Sequence, residues 1–127
     1  MPLRGLRVAD VGCGGGILSE ALCRIGGEMV SADPGEDNIA AAKKHAALSR
    51  HTSSIDYRRC TSGELAEMVM LLLIGDAERG GGQWFCVADD LVAQGEQFDV
   101  VCSLEVIEHV SDVPAFLHSL TPLVKVS

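Results

Sequence analysis

The sequence predicts an α/β domain built on a parallel sheet of about four strands with helices flanking it. Three observations lead there. Short apolar runs alternate with segments of helical periodicity, the pattern of strand–helix–strand units. A glycine-rich turn joins the first run to the first helical segment. Phe98 to Leu104 is apolar nearly throughout, as expected of a strand covered on both faces. With 127 residues, 47% hydrophobic and 22% charged, the chain has the composition and size of one globular domain, not of a disordered segment.

The elements follow in order. Leu6 to Val11 reads as a first strand, and Ile17 to Ile25 as a helix stopped by Gly26-Gly27. Glu28 to Ala32 is a short second strand ending at Asp33-Pro34. Asp37 to Leu48 carries Ile39, Ala42 and Ala46 at helical spacing, with Lys43 and Lys44 turned outward. Ile55 to Cys60 is a third strand. Thr61-Ser62-Gly63-Glu64 forms a capping box, so a helix is expected from there through Leu72. Residues 75–97, with Gly80-Gly81-Gly82 and the single Trp84, are long for a connection in such a fold. They are expected to be an inserted surface loop, with an extra short strand at Trp84 to Val87. Phe98 to Leu104 is the fourth strand, and Asp112, followed by Pro114, opens a last helix reaching about Val124.

Charge and composition exclude several classes. Eighteen acidic against ten basic residues give a net charge of -8, with no basic block longer than a pair, so no nucleic-acid partner is expected. The longest apolar run, Met68 to Ile74, falls far short of the roughly 20 residues needed to span a bilayer. The first strand starts within a few residues of Met1, so no signal or transit peptide is expected within this sequence. Five cysteines (Cys13, Cys23, Cys60, Cys86, Cys102) form no C-x-x-C pair and mostly sit in apolar runs, which reads as buried free thiols in a reducing compartment.

The glycine turn narrows the ligand. From Asp10 the pattern is D-x-G-x-G-x-G, with Gly12, Gly14 and Gly16, and Gly15 between. A glycine turn between a first parallel strand and its helix lets backbone N–H groups and the positive helix end approach a ligand. A dinucleotide fingerprint, G-x-G-x-x-G, would place its third glycine on Ile17, which disfavours NAD. Asp33 ends the second strand 21 residues after Gly12, where a carboxylate can accept the ribose hydroxyls of an adenosine. The bland alternative is a tight turn and nothing more.

This loop and second-strand acid resemble those of the class I S-adenosylmethionine-dependent methyltransferases. The strings RVADVGCGGGILSEAL, ADPGEDNIAAAKKHA, IDYRRCT and FDVVCSLEVIEHVSD are similar to the ubiquinone-biosynthesis O-methyltransferases in particular, over nearly the whole chain outside residues 68–96. The resemblance implies a Rossmann-like sheet of order 3-2-1-4, with Gly12 and Asp33 at positions that contact S-adenosylmethionine and Leu104 beside the adenine; Asp10, Gly14 and Gly16 of the loop motif complete the expected cofactor-binding set. It implies a lipophilic polyprenyl catechol as substrate. It also implies magnesium at Glu105, Glu108 and His109.

That trio has its own physical reading. If Glu105 to His109 forms a helical turn, positions 105, 108 and 109 share a face at the carboxyl end of a central strand. A divalent cation there would favour the phenolate of a hydroxyl whose pKa is otherwise near 10, although histidine suits zinc, manganese or iron better than magnesium. Without a metal, His109 is a candidate general base. A third reading has the three side chains capping and solvating a helix start.

The ending departs from the family. LVKVS stands where the family reads LVKPGG and continues into further strands, and the family's upstream helices have no counterpart here. A fragment is expected, covering residues 1–127 as a partial cofactor domain, lacking the C-terminal strands and leaving an open apolar edge on the fourth strand. Peripheral membrane association and a biosynthetic complex would use parts outside this chain. The insertion at 75–97 and the DNI and IDYR strings resemble the eukaryotic branch of the family, which works on the matrix side of the mitochondrial inner membrane; a bacterial protein would instead be cytoplasmic and membrane-associated. Two other functions stay open: a methyltransferase for another small molecule, and a non-catalytic S-adenosylmethionine-binding module.

Overall fold

The computed structural model describes residues 1–60, 82–104 and 106–126, with the side chains of 82–86 left aside. Four parallel strands form one sheet in the order β3-β2-β1-β4, as expected. They are β1 (Arg7–Val11), β2 (Glu28–Asp33), β3 (Asp56–Arg59) and β4 (Val100–Cys102). The helices are α1 (Ile17–Arg24), α2 (Glu36–Ala46), α3 (Gly82–Ala93) and α4 (Val113–Leu120). Short 3₁₀ turns lie at Ile107–His109 and Thr121–Leu123.

Alternation along the central strands sorts the core into two layers. Val8 and Met29 pack with Ile39, Ala42, Ala46, Ile55 and Tyr57 on one face. Ala9, Val11, Val30 and Ala32 pack with Val87, Leu91, Phe98, Phe116 and Leu120 on the other. The helices close as their sequences dictate. Gly26 takes φ 104 after α1, a conformation that favours glycine, and the N–H groups of Gly26 and Gly27 return to the carbonyls of Cys23 and Leu22. Glu36 and Asp37 lie in the first turn of α2 and Lys43, Lys44 and His45 in its last, each matching the helix dipole. At α4, the Asp112 carboxylate accepts the Ala115 N–H at 3.0 Å.

Several expectations need correction. Residues 82–93 are neither a surface loop nor a strand at Trp84 to Val87; they form α3. Val87, Ala88 and Leu91 share one side of it and are fully buried against the sheet. The glycine run suggested a loop, but the apolar spacing that follows it is helical, and burial of that stripe decides the outcome. The helix expected over Thr61 to Leu72 lies outside the described residues. The last helix stops at Leu120: Pro122 has no N–H to continue the α ladder, so the chain tightens into the Thr121–Leu123 turn. β4 is shorter than Phe98 to Leu104. Beside it, Phe98 bridges to Val124 in parallel, with the Phe98 N–H donating to the Leu123 carbonyl at 2.7 Å and the Lys125 N–H to the Phe98 carbonyl at 2.9 Å. The final residues therefore cover one end of the β4 edge.

An ion network ties β1 and β3 to the turn before β4. Glu96 accepts from Arg7 at 2.7 Å and from Arg58 at 2.9 Å, while Arg7 also lies 4.8 Å from the Phe98 ring centre. Cys13 and Cys60 are buried free thiols, and burial pushes the Cys60 thiol up to about 11. Cys23 and Cys102 are free but only half-buried. Among the described residues, no helix is long and apolar enough to cross a membrane.

Candidate functional site

A cleft of about 550 Å³ opens at the carboxyl ends of β1, β2 and β4. Its wall includes Asp10, Gly12, Gly14, Asp33, Leu104 and His109, six of the residues singled out from the sequence. This is where ligands enter an open parallel sheet, because the strand order reverses beside β1.

The glycine turn is held from within. The N–H groups of Gly12 and Cys13 donate to the Ala32 carbonyl at 2.8 and 3.1 Å, and that of Gly16 to the Cys13 carbonyl at 3.0 Å. Gly12, Gly14 and Gly16 all have positive φ, of 84, 52 and 86 degrees, so the turn needs residues without a Cβ penalty. Gly16 does not line the cleft. It caps α1, with Tyr57 beneath it. The Gly15 N–H makes no hydrogen bond within the described residues, and the first-turn amides of α1 have no carbonyl ahead of them. The donors left for a ligand are therefore at Gly15 and the start of α1.

Asp33 is the hub. Its Oδ2 accepts the Gly14 N–H at 2.9 Å, and its Oδ1 accepts the Gly35 N–H at 2.8 Å and the Asn38 amide at 3.2 Å. One buried carboxylate thus joins the glycine turn to the start of α2. Asp10, also buried, accepts the Ser19 hydroxyl at 2.6 Å, which fastens α1 to β1. Burial raises the Asp10 pKa above the usual carboxylate range; the Ser19 bond opposes this and the nearby Asp33 adds to it. Asp10 therefore acts on the helix through Ser19 as well as facing the cleft.

The far wall is less complete. The Ile107–His109 turn is 3₁₀, not the α-helical face on which 105, 108 and 109 were expected to converge. His109 lines the cleft; Glu108 does not. Glu108 Oε1 and His109 Nε2 stand 3.7 Å apart with their side chains 64% and 62% exposed, close enough to share one cation. Glu105 lies outside the described residues. Among the described residues, no group of three His, Cys, Asp or Glu side chains is arranged to hold a metal.

Sequence reasoning missed three contributors. Asn38 lines the cleft from the first turn of α2, five residues past Asp33. Ser19 and Tyr57 act behind the glycine turn. Only Asn38 carried a signal, since polar residues early in a helix that follows a strand-end acid face the same mouth.

A parallel sheet with a glycine turn after its first strand and an acid closing its second defines a mononucleotide-type α/β domain. The chain belongs to the methyltransferase-domain family, whose model matches residues 2–125. It is 41% identical to the ubiquinone biosynthesis O-methyltransferase of Rhizobium etli over 124 residues, 98% of this chain and 39% of that protein. It is 40% identical to the protein of that name from Cereibacter sphaeroides over 125 residues, again 98% of this chain and 39% of the relative. The chain thus spans about two fifths of the length of these curated relatives. Among solved structures, magnesium protoporphyrin IX methyltransferase from Synechocystis PCC 6803, with bound SAM, superposes at a TM-score of 0.65, with 21% identity over 97% of this chain and 47% of that one. An S-adenosylmethionine-dependent methyltransferase from Mesorhizobium loti gives 0.59, with 20% identity over 97% of this chain and 44% of that one. These likenesses establish the Rossmann-like methyltransferase fold.

Proposed function

We propose that this chain is the cofactor-binding part of an S-adenosylmethionine-dependent O-methyltransferase acting on a catechol hydroxyl of a polyprenyl ubiquinone precursor. The observation that carries the reading is the cleft in which the glycine turn and Asp33 face Leu104 and His109. The names of the bacterial relatives support the reaction class.

Each residue has a task in this reading. Gly12, Gly14 and Gly16 shape the turn so that the Gly15 and α1 amides approach the ligand. Asp33 accepts from the ribose, and Leu104 covers the adenine. When bound, S-adenosylmethionine supplies an electrophilic methyl group that a phenolate oxygen takes as the carbon–sulfur bond breaks. His109 takes the phenol proton on an imidazole nitrogen, and the cleft aligns oxygen with methyl carbon. Ile17 is 87% exposed on the cleft wall, an apolar surface suited to a lipophilic acceptor.

A second reading assigns Glu105, Glu108 and His109 to a divalent cation, supported by the family resemblance and the 3.7 Å approach of Glu108 to His109. Such an ion would lower the catechol pKa and hold both of its oxygens. Manganese, zinc and iron suit the histidine better than magnesium does. We further propose peripheral membrane association through parts of the protein beyond this chain. The matrix side of the mitochondrial inner membrane is proposed from the resemblance of the 75–97 segment and the DNI and IDYR strings alone, for fractionation to test.

The test is methyl transfer to a short-chain polyprenyl catechol against a panel of carboxylic acids and amines, read by mass spectrometry. A methyl ether on the catechol alone supports the reading. Methylation of another panel member instead overturns the substrate; the assay uses the protein extended to the length of its relatives, in which no transfer with intact cofactor binding favours a binding module. Chelation separates the two chemistries: EDTA abolishes a metal-dependent rate and leaves a His109 base mechanism running.

A further inference from the structure

The last turns of α1 and α2 lie at the amino ends of the strands, because a helix that crosses between parallel strands runs back along the sheet. Both helices pack on one side of the sheet. At that corner, opposite the cleft, the fold leaves cations unused. Arg4, Lys43, Lys44 and Arg50 are exposed and make no ion pair among the described residues. The acids beside them are mostly held: Glu20 by His45 at 2.6 Å and Arg24 at 3.6 Å, Asp56 by Arg58 at 2.7 Å, and Glu96 by Arg7 and Arg58. Glu28 is the exposed exception. In a chain of net charge -8 this corner is a local positive field.

A cavity of about 350 Å³ opens there, between the Gly26–Met29 segment and the loop at His51 and Ser54. The loop is fastened on both sides, Cys23 Sγ donating to the His51 carbonyl at 3.1 Å and Thr52 Oγ1 to the Ala46 carbonyl at 2.8 Å. Donors line the cavity. Arg7 uses two side-chain N–H groups on Glu96 and the Gln97 carbonyl and keeps three of its five, and the Ser54 hydroxyl and His51 ring make no hydrogen bond among the described residues. Glu28 lines one side and limits the charge the cavity accepts. Leu48 opens the same loop and Ile25 precedes Gly26, 80% and 41% exposed.

We infer that this corner is a docking surface for an acidic segment of a protein partner, one carboxylate entering the cavity while apolar side chains of the segment meet Leu48 and Ile25. Charge complementarity selects the acid, and the exposed apolar pair selects a segment with apolar residues among its acids. A cavity takes a side chain, which a flat lipid surface does not offer. The cleft lies at the other end of the sheet, so a partner bound here leaves it open. The inference is independent of what the cleft binds.

Fluorescence anisotropy on this chain tests it with two labelled peptides of equal charge, one of Glu and Leu and one of Glu and Ser. The wild type should bind both, the Leu peptide more tightly, and more weakly as salt is added. Arg50→Glu should weaken both about fivefold. Arg59→Glu makes the same charge change at the cleft end, where Arg59 meets Glu36 and the Pro34 carbonyl, and should leave both unchanged. Ser54→Phe, which fills the cavity from an exposed position, should weaken both as Arg50→Glu does, and Leu48→Ser should remove the preference for the Leu peptide. Equal losses from Arg50→Glu and Arg59→Glu mean general charge attraction and overturn the surface, as does a wild type that binds neither peptide. Binding of phosphatidylglycerol vesicles without peptide binding overturns the protein partner in favour of a lipid surface. Unchanged binding in Ser54→Phe overturns the role of the cavity, and an unchanged preference in Leu48→Ser overturns the apolar contact.

Discussion

The Tyr57 hydroxyl fills the space in which a side chain on Gly16 would have to begin. A Cβ at residue 16 would overlap that oxygen and lie 3.1 Å from Ala42 Cβ, while φ of 86 degrees already disfavours any L side chain. Desolvation is the main reason the Tyr57 hydroxyl is pushed up to about 12, so it stays neutral and wedged under the turn. Gly16→Ala should therefore cost about 2–4 kcal/mol, adding left-handed strain to overpacking. Adding Tyr57→Phe should recover part of that loss. Urea unfolding of the four proteins in the cycle measures both, and strict additivity would contradict the packing account.

Asp33 anchors three donors, so its removal should be felt in stability and in binding. Asp33→Ala leaves the Gly14 and Gly35 N–H groups without their acceptor. A stability loss of about 2 kcal/mol is expected, together with at least a tenfold weakening of S-adenosylhomocysteine binding. Thermal melts and calorimetry on one preparation check both. A variant that melts lower yet binds unchanged would make Asp33 a structural residue only.

Leu91 tests the helix that replaced the expected loop. It is fully buried with Phe98 and Phe116 in the same core layer. Leu91→Ala should cost about 2–5 kcal/mol, as large-to-small changes in a packed core do. A surface loop would give a loss within about 0.5 kcal/mol.

The pH response follows from Glu96. The Arg7 bond is the main influence holding its carboxyl below the usual range, with Arg58 on the other oxygen and burial opposing. A lowered acid contributes stability above its unfolded value near 4.3 and loses it as pH falls through the folded value. Glu96→Gln should be roughly 1 kcal/mol less stable at neutral pH, and the gap should close below about pH 4. Asp10, raised by burial, has the opposite sign but is common to both proteins. Stability measured from pH 3 to 7 shows the convergence; a constant gap would contradict the ion pairing.

Much of this was legible in residue order. The strands themselves, the turn at Gly12 to Gly16 and the acid at Asp33 are local patterns, set by backbone conformation and period, while the strand order came from the family resemblance; the structure brings Gly12 and Asp33 to one cleft. What was not legible depends on contacts between distant segments. Tyr57 reaches Gly16 across 41 residues. α3 hid behind Gly80 to Gly82 because glycine signals a loop locally, whereas the buried face of Val87, Ala88 and Leu91 is rewarded only once the sheet exists. Glu105 to His109 was read at α-helical period, whereas the described part, Ile107–His109, is a 3₁₀ turn, in which Glu108 and His109 are spaced differently.

The most direct measurement is calorimetric titration of this chain with S-adenosylhomocysteine and, separately, with NADH. The account predicts one site for the sulfur nucleoside, weakened at least tenfold by Asp33→Ala, and no heat from NADH. Binding of NADH with none of the sulfur nucleoside would contradict it.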